Sequence, residues 1–237
     1  MVELQFYGKH CAEMALKSDY IQFISVDCTE QTLAQLPLLQ AQSKSSNLQI
    51  RDVSYFKQDV KHQGIQIRAH LSVFKHLNEC DFADWKTVLV LDHLHDPMNV
   101  GSAIRHAVAF GVDAIIIPSH QAAPISAAVA HASSGALFAI PIIQPGAFGQ
   151  CLDQLKKMGF GLIGTTLNEE SETFDPKYFW DKTALVVGHE GQGLSQGIAQ
   201  KCDTLVNLPM SGKIQSLNAA VTASILCYER FKQLNRK

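Results

Sequence analysis

Ala184-Leu185-Val186-Val187-Gly188-His189-Glu190-Gly191-Gln192-Gly193-Leu194 is the stretch on which the fold turns. An unbroken apolar run that does not alternate reads as a strand buried on both faces. Gly188, Gly191 and Gly193 then allow close backbone approach and positive φ. Strand ends of this kind are where open parallel α/β sheets hold ligands.

The same pattern repeats outward from this stretch. On the C-terminal side, Thr204-Leu205-Val206-Asn207-Leu208 is another apolar run, and Ser216-Leu217-Asn218 opens a helix reaching about Leu234. On the N-terminal side come Val88–Leu91, Ala114–Ile117, Ala136–Ile142 and Phe160–Gly164, with helices predicted over about Asn99–Phe110 and Gln150–Lys157. Apolar runs alternating with helices predict an α/β fold with a mostly parallel sheet covered on both faces. The last helix is predicted to carry Leu217, Val221, Ile225 and Tyr228 as one stripe. That stripe reads first as core and second as a subunit contact.

Residues 1–77 read as a smaller α/β unit. Tyr20–Val26 alternates like a strand, a helix is expected from Glu30 to about Gln40, and Ser43–Asn47 reads as a turn. Residues 78–85 are acidic and aperiodic, as a linker would be, and residues 86–237 form the second domain. The chain has 237 residues, 46% hydrophobic and 18% charged, enough to bury a core and too apolar for disorder. No run is long enough to span a membrane, and Met1-Val2-Glu3-Leu4-Gln5 does not read as a secretory signal, so a cytoplasmic location is expected. The six cysteines have no C-x-x-C spacing and read as reduced core thiols. His93 and His95 share a strand end without an evident third ligand, so no metal is expected. A net charge of −2 gives RNA no global attraction and leaves room only for a local basic patch.

Asn99-x-Gly101-x-x-x-Arg105 follows the Val88–Leu91 run. Asn99 suits a helix N-cap, and Gly101 and Arg105 share a helix face on which glycine would clear space for a substrate beside the guanidinium. Glu190, in the glycine loop, could bind a substrate hydroxyl or amine or pair with Arg105. Ser216 and Asn218 stand where free helix amides suit a polar or anionic group, and each could equally be a cap.

In this order and spacing the three segments resemble the motifs of the SpoU (TrmH) family of RNA ribose 2'-O-methyltransferases. The block Pro209–Asn218 carries most of the likeness. Ala220 stands where many relatives have a hydroxyl, and the slot of His189 varies among them. The resemblance implies a SPOUT-type α/β sheet with a C-terminal trefoil knot, S-adenosylmethionine as cofactor, RNA as substrate and a homodimer. It implies catalytic roles for Asn99, Arg105, Glu190, Ser216 and Asn218. It places Thr165, Gly188, Gly193, Leu208, Met210, Ser216 and Leu217 around the cofactor. Phe6-Tyr7-Gly8-Lys9-His10 and His62-Gln63-Gly64-Ile65 resemble the L30e-like RNA-binding domain of the 23S rRNA guanosine methyltransferase subgroup, with Lys9, Lys61 and Arg68 as RNA contacts beside Arg105. That tilts the expectation to rRNA, with tRNA as the alternative and a non-catalytic RNA-binding relative as a third reading. An oxidoreductase is disfavoured because the G-x-G-x-x-G fingerprint is missing. Arginine keeps its proton in water far above neutral pH, so using one as a base at pH 7 costs roughly 8 kcal/mol. Clamping a phosphate costs far less.

Overall fold

The computed structural model describes residues 1–41, 47–57, 60–166, 171–189 and 191–236, and structural counts refer to these described residues. The first sheet is built from β1 (Val2–Tyr7), β2 (Ile21–Cys28), β3 (Leu48–Ile50) and β4 (Ile65–Leu71), in the order β1-β4-β2-β3. β4 is antiparallel to both β1 and β2, while β3 runs parallel to β2. Helix α1 (Lys9–Leu16) buries Cys11, Ala12, Ala15 and Leu16 in the same core as the inward residues of β1 and β4. The single helix expected over 30–40 is two, α2 (Glu30–Gln35) and α3 (Pro37–Ala41). Leu36 lies at φ −119°, ψ 82°, because a residue before proline is pushed out of the helical region. Of the expected turn at 43–47, residues 43–46 lie outside the described residues.

The second sheet begins earlier than residue 86. β5 (Val73–Phe74) pairs with β8 (Ile142–Ile143) at its edge. The other strands are β6 (Thr87–Leu91), β7 (Ala114–Ile116), β9 (Phe160–Thr165), β10 (Glu172–Thr173), β11 (Lys182–Val187) and β12 (Thr204–Asn207). The order is β10-β12-β9-β11-β6-β7-β8-β5, and every pairing is parallel. The expected strand over 136–142 is mostly a 3₁₀ turn at Ala136–Phe138, entered through Gly135 at φ 83°. Within residues 78–85 Trp85 is buried beside Phe82, while Asn78, Glu79, Asp81, Ala83 and Asp84 are exposed.

Alternate residues of β6 serve different cores. Leu89 and Leu91 face the core shared with the first sheet, where Phe6 and Phe138 meet at 4.6 Å between ring centroids. Val88 and Val90 face a second core closed by Cys151, Leu152 and Leu155 of α6 (Phe148–Lys157). Burial on both faces explains why these strands show no alternation in sequence. Burial also pushes the thiols of Cys151, Cys202 and Cys227 up to about 12, so they stay protonated at neutral pH.

The first core is also lined by α4 (Pro97–Ala109), α5 (Ala127–Ala132) and α8 (Ala219–Leu234), beside α1 and α3. Asp96, not Asn99, caps α4, its carboxylate accepting from the Met98 amide at 2.9 Å. Pro97 fits the first helical position, which moves the helix start ahead of Asn99. Gly101 does not clear space for a substrate, because α5 fills it. A Cβ there would lie 2.4 Å from Ala132 Cβ and 2.9 Å from the Val129 carbonyl oxygen. Gly101→Ala is therefore expected to lower stability by about 1–3 kcal/mol, although alanine is the better helix former. A thermal melt at or above that of the parent chain would refute the tight packing.

The expected core stripe on α8 faces outward. Val221, Ile225 and Tyr228 are 45%, 36% and 46% exposed. The buried face is Ala219, Ala220, Ala223, Leu226, Cys227 and Arg230. The helix offers two faces at apolar spacing, and the one with small residues lets it approach α4 closely.

Candidate active site

The C-terminal ends of β9, β11 and β12 and the start of α8 enclose a cavity of 210 Å³. Thr165 ends β9, while Val187 and Gly188 lead out of β11 into the glycine loop. Leu208 and Met210 follow β12, and Ser216 and Leu217 precede α8. All seven residues expected around a cofactor line this one cavity: Thr165, Gly188, Gly193, Leu208, Met210, Ser216 and Leu217. His189, Gln192, Thr166, Val206 and Thr222 line it too, and sequence reading passed over them. Thr166 and Gln192 adjoin named residues. Thr222 lies one helical turn past Asn218, so neighbourhood was the only signal.

The glycine loop folds back on itself. His189 N–H donates to the Gly193 carbonyl at 3.0 Å and Gly193 N–H to the His189 carbonyl at 2.8 Å. The Gly191 amide donates to His189 Nδ1 at 3.1 Å, which makes that nitrogen an acceptor. Gly193 sits at φ 67°, where a side chain would be strained. A Cβ on Gly188 would lie 2.3 Å from the Gly193 carbonyl group, so two of the loop's glycines are required by contact or by φ. Asp92, just past β6, is 1% exposed, and its Oδ2 accepts from the Ser195 amide at 2.9 Å. Glu190 lies outside the described residues.

The first and third motifs meet through one hydrogen bond. Asn218 Nδ2 donates to Asn99 Oδ1 at 2.9 Å. Asn218 Oδ1 caps α8, accepting from the Ala220 amide at 2.8 Å and the Val221 amide at 3.3 Å. Asn218, not Ser216, is therefore the cap, and Ser216 is left at the cavity wall. Arg105 is exposed, does not line the cavity, and donates to Ser134 Oγ at 3.0 Å.

The RNA-contact candidates divide. Ser134 lies one turn beyond His131, whose Cε1 is 3.9 Å from a Cβ built on Gly8, and the Lys61 carbonyl is 4.0 Å from the same point. The Lys9 amide donates to Gln63 Oε1 at 2.9 Å, and Lys9 Nζ to Gln35 Oε1. Lys9, Lys61 and Arg105 thus border one seam between the sheets, and Lys9 and Arg105 bond neutral oxygens there. Arg68 lies on the outer face of β4, bonded to Ser25 Oγ at 3.2 Å, and does not join them. Among the described residues no group of three or more histidine, cysteine or acidic side chains could hold a metal ion, and no helix is long and apolar enough to cross a membrane.

The family model of the SpoU rRNA methylases matches residues 86–228. The chain belongs to the SpoU rRNA methylase family. A Staphylococcus saprophyticus relative described as a TrmH family tRNA/rRNA methyltransferase is 32% identical over 249 residues, covering 99% of this chain and 98% of its own. The SpoU methyltransferase AviRb from Streptomyces viridochromogenes, solved with AdoMet, superposes with a TM-score of 0.82, covering 98% of this chain and 90% of its own. At 22% identity that likeness is one of fold. The TrmH/SpoU tRNA modifying enzyme of A. aeolicus, 28% identical with a TM-score of 0.56, covers 63% of this chain and 76% of its own. The SpoU family match takes in all three motifs quoted from the sequence.

Proposed function

We propose that this SpoU family member transfers a methyl group from S-adenosylmethionine to a ribose 2'-hydroxyl of RNA, with a guanosine of 23S rRNA the favoured target. The observation that carries the reading is the convergence of Thr165, Gly188, Leu208, Met210 and Leu217, from separate strand ends, on one cavity joined to the first motif by Asn99 and Asn218. The lining suits this cofactor. Val187, Val206, Leu208, Met210 and Leu217 offer apolar surface to an adenine, while Thr165, Thr166, Ser216 and Thr222 offer hydroxyls to ribose and amino-acid groups.

S-adenosylmethionine, when bound, supplies an electrophilic methyl group on a sulfonium. The chain's own task is to bring the hydroxyl oxygen into line and to exclude water. Arg105, as a guanidinium, holds a phosphate of the target strand and orients the 2'-hydroxyl; having no lone pair, it takes the hydroxyl proton only if it has first lost its own, at a cost of roughly 8 kcal/mol. Glu190, Ser216 and the Asn99–Asn218 pair complete the catalytic set.

Residues 1–77 serve as an L30e-like RNA-binding unit, residues 78–85 as its connection and residues 86–237 as the methyltransferase domain with a C-terminal trefoil knot, in a cytoplasmic protein. Lys9 and Lys61 support RNA binding at the seam more than Arg68 does. The tRNA-modifying likeness leaves more than a third of this chain unmatched, which favours rRNA over tRNA.

A second copy covers the outward face of α8. Tyr228 packs against Phe110 at 5.4 Å between centroids, and Val221, Ile225 and Phe231 extend the exposed apolar stripe. Ile225→Glu with Tyr228→Glu is expected to weaken self-association at least 100-fold by sedimentation, through burial of charge at an apolar contact. A variant that sediments with the parent's mass would remove this face from the interface, and a parent of single-chain mass would remove the dimer. The function itself is tested by calorimetry with S-adenosylmethionine and by mapping 2'-O-methyl positions in rRNA and tRNA from cells with and without the protein. Cofactor-dependent ribose methylation that persists in chelator supports it. No cofactor heat, or methylation at a base, sinks it.

A further inference from the structure

Residue 92 touches both ends of the glycine loop. Its N–H donates to the Val187 carbonyl at 2.8 Å, where the loop departs from β11. Its carboxylate Oδ2 accepts from the Ser195 amide at 2.9 Å, where the loop arrives at α7 (Gln196–Ala199). The other oxygen, Oδ1, meets His93 Nδ1 at 2.5 Å. The side chain is 1% exposed, so these contacts do not compete with water. Between the two anchor points Val187, Gly188, His189, Gly191, Gln192 and Gly193 form one wall of the cavity.

We propose that Asp92 is a positioning residue that latches the glycine loop in its cofactor-binding shape, acting through the Ser195 amide without touching the cofactor. The inference rests on the reading of the cavity as the S-adenosylmethionine site. A buried carboxylate is costly unless hydrogen-bonded, so its retention beneath the loop needs partners, and the Ser195 N–H and the His93 ring supply them. The backbone bond to Val187 extends the β6–β11 ladder and would survive any side chain at position 92. The side chain therefore controls only the far end of the loop. Loosening that end enlarges the set of loop shapes, and the cofactor-competent one is then a smaller fraction, which weakens apparent affinity in proportion.

The bond can be removed from either side. Asp92→Ala deletes the acceptor. Ser195→Pro deletes the donor, and proline suits the φ of −59° found there. Both variants are expected to raise the S-adenosylmethionine dissociation constant about tenfold by calorimetry, while affinity for an rRNA fragment stays within twofold of the parent. The double variant should be no weaker than either single one, since both remove the same contact. Asp92→Asn, whose amide oxygen still accepts from Ser195, should recover affinity to within about threefold. Cofactor heat from the parent chain establishes the site independently of the latch. Given that heat, additive losses, unchanged affinity in either variant, or equal loss of RNA binding would overturn the latch. If the parent gives no heat, the cofactor reading and the latch that rests on it are both overturned.

Discussion

Arg105→Ala is expected to cut turnover at saturating RNA and cofactor by about 10³-fold, equal to about 4 kcal/mol of transition-state stabilisation. Cofactor affinity should stay within twofold, because Arg105 does not line the cavity. Its partner in the free protein is Ser134 Oγ, a neutral group, so removal leaves no buried charge and the fold should survive. Arg105→Lys keeps the charge and loses the planar fork that matches a phosphate, so it should recover less than a tenth of the activity. Single-turnover methylation of the mapped rRNA segment measures this. Near-parent turnover in the alanine variant would remove Arg105 from the reaction altogether.

Arg230→Ala is expected to cost about 3–5 kcal/mol of stability and to lower the melting temperature by roughly 10 °C. The residue is 2% exposed at the far end of α8 from Asn218. Its guanidinium donates to the Lys86 carbonyl at 3.1 Å, the Asp181 carbonyl at 2.6 Å and Thr87 Oγ1 at 3.2 Å, and also to Gln233 Oε1. These groups tie α8 to the starts of β6 and β11. Burial works against the charge, while Asp181 and Asp113 favour it. Alanine would take this donor from the Asp181 carbonyl and from Thr87 Oγ1, leave the Lys86 carbonyl only its bond from the Thr183 amide at 2.9 Å, and open a void the length of the side chain. A melt within 3 °C of the parent would show that water replaces the guanidinium without loss.

The two residues mark the limit of sequence reading from opposite sides. Arg105 was legible because a motif flagged it, but its position at the seam with the first sheet was not. That position depends on Ser134, which lies just past α5 and 29 residues further along the chain. Arg230 carried no signal, because a lone charge on a helix reads as solvated until the partner strands are known. The buried strands were legible because burial on both faces demands apolar residues without interruption. The α8 stripe was misread for a related reason. Val221, Ile225 and Tyr228 have the spacing of a core face, yet the packed face is Ala219, Ala220 and Ala223, whose small side chains carry little hydrophobic weight. Helix starts shifted by a few residues because caps compete, and Asp96 with Pro97 outranks Asn99.

The sequence by itself determined that apolar strands alternate with helices, that strand ends pass into glycine-rich or polar loops, and which residue types stand there. These are local properties, set by backbone propensity and by the need of each strand to leave water. Only the tertiary structure decided that the ends of β9, β11 and β12 share one cavity, that Asp92 lies beneath the loop, and which face of α8 meets the core. Those outcomes depend on strand order and on packing between residues distant in the chain, and periodicity within a single element holds no record of either.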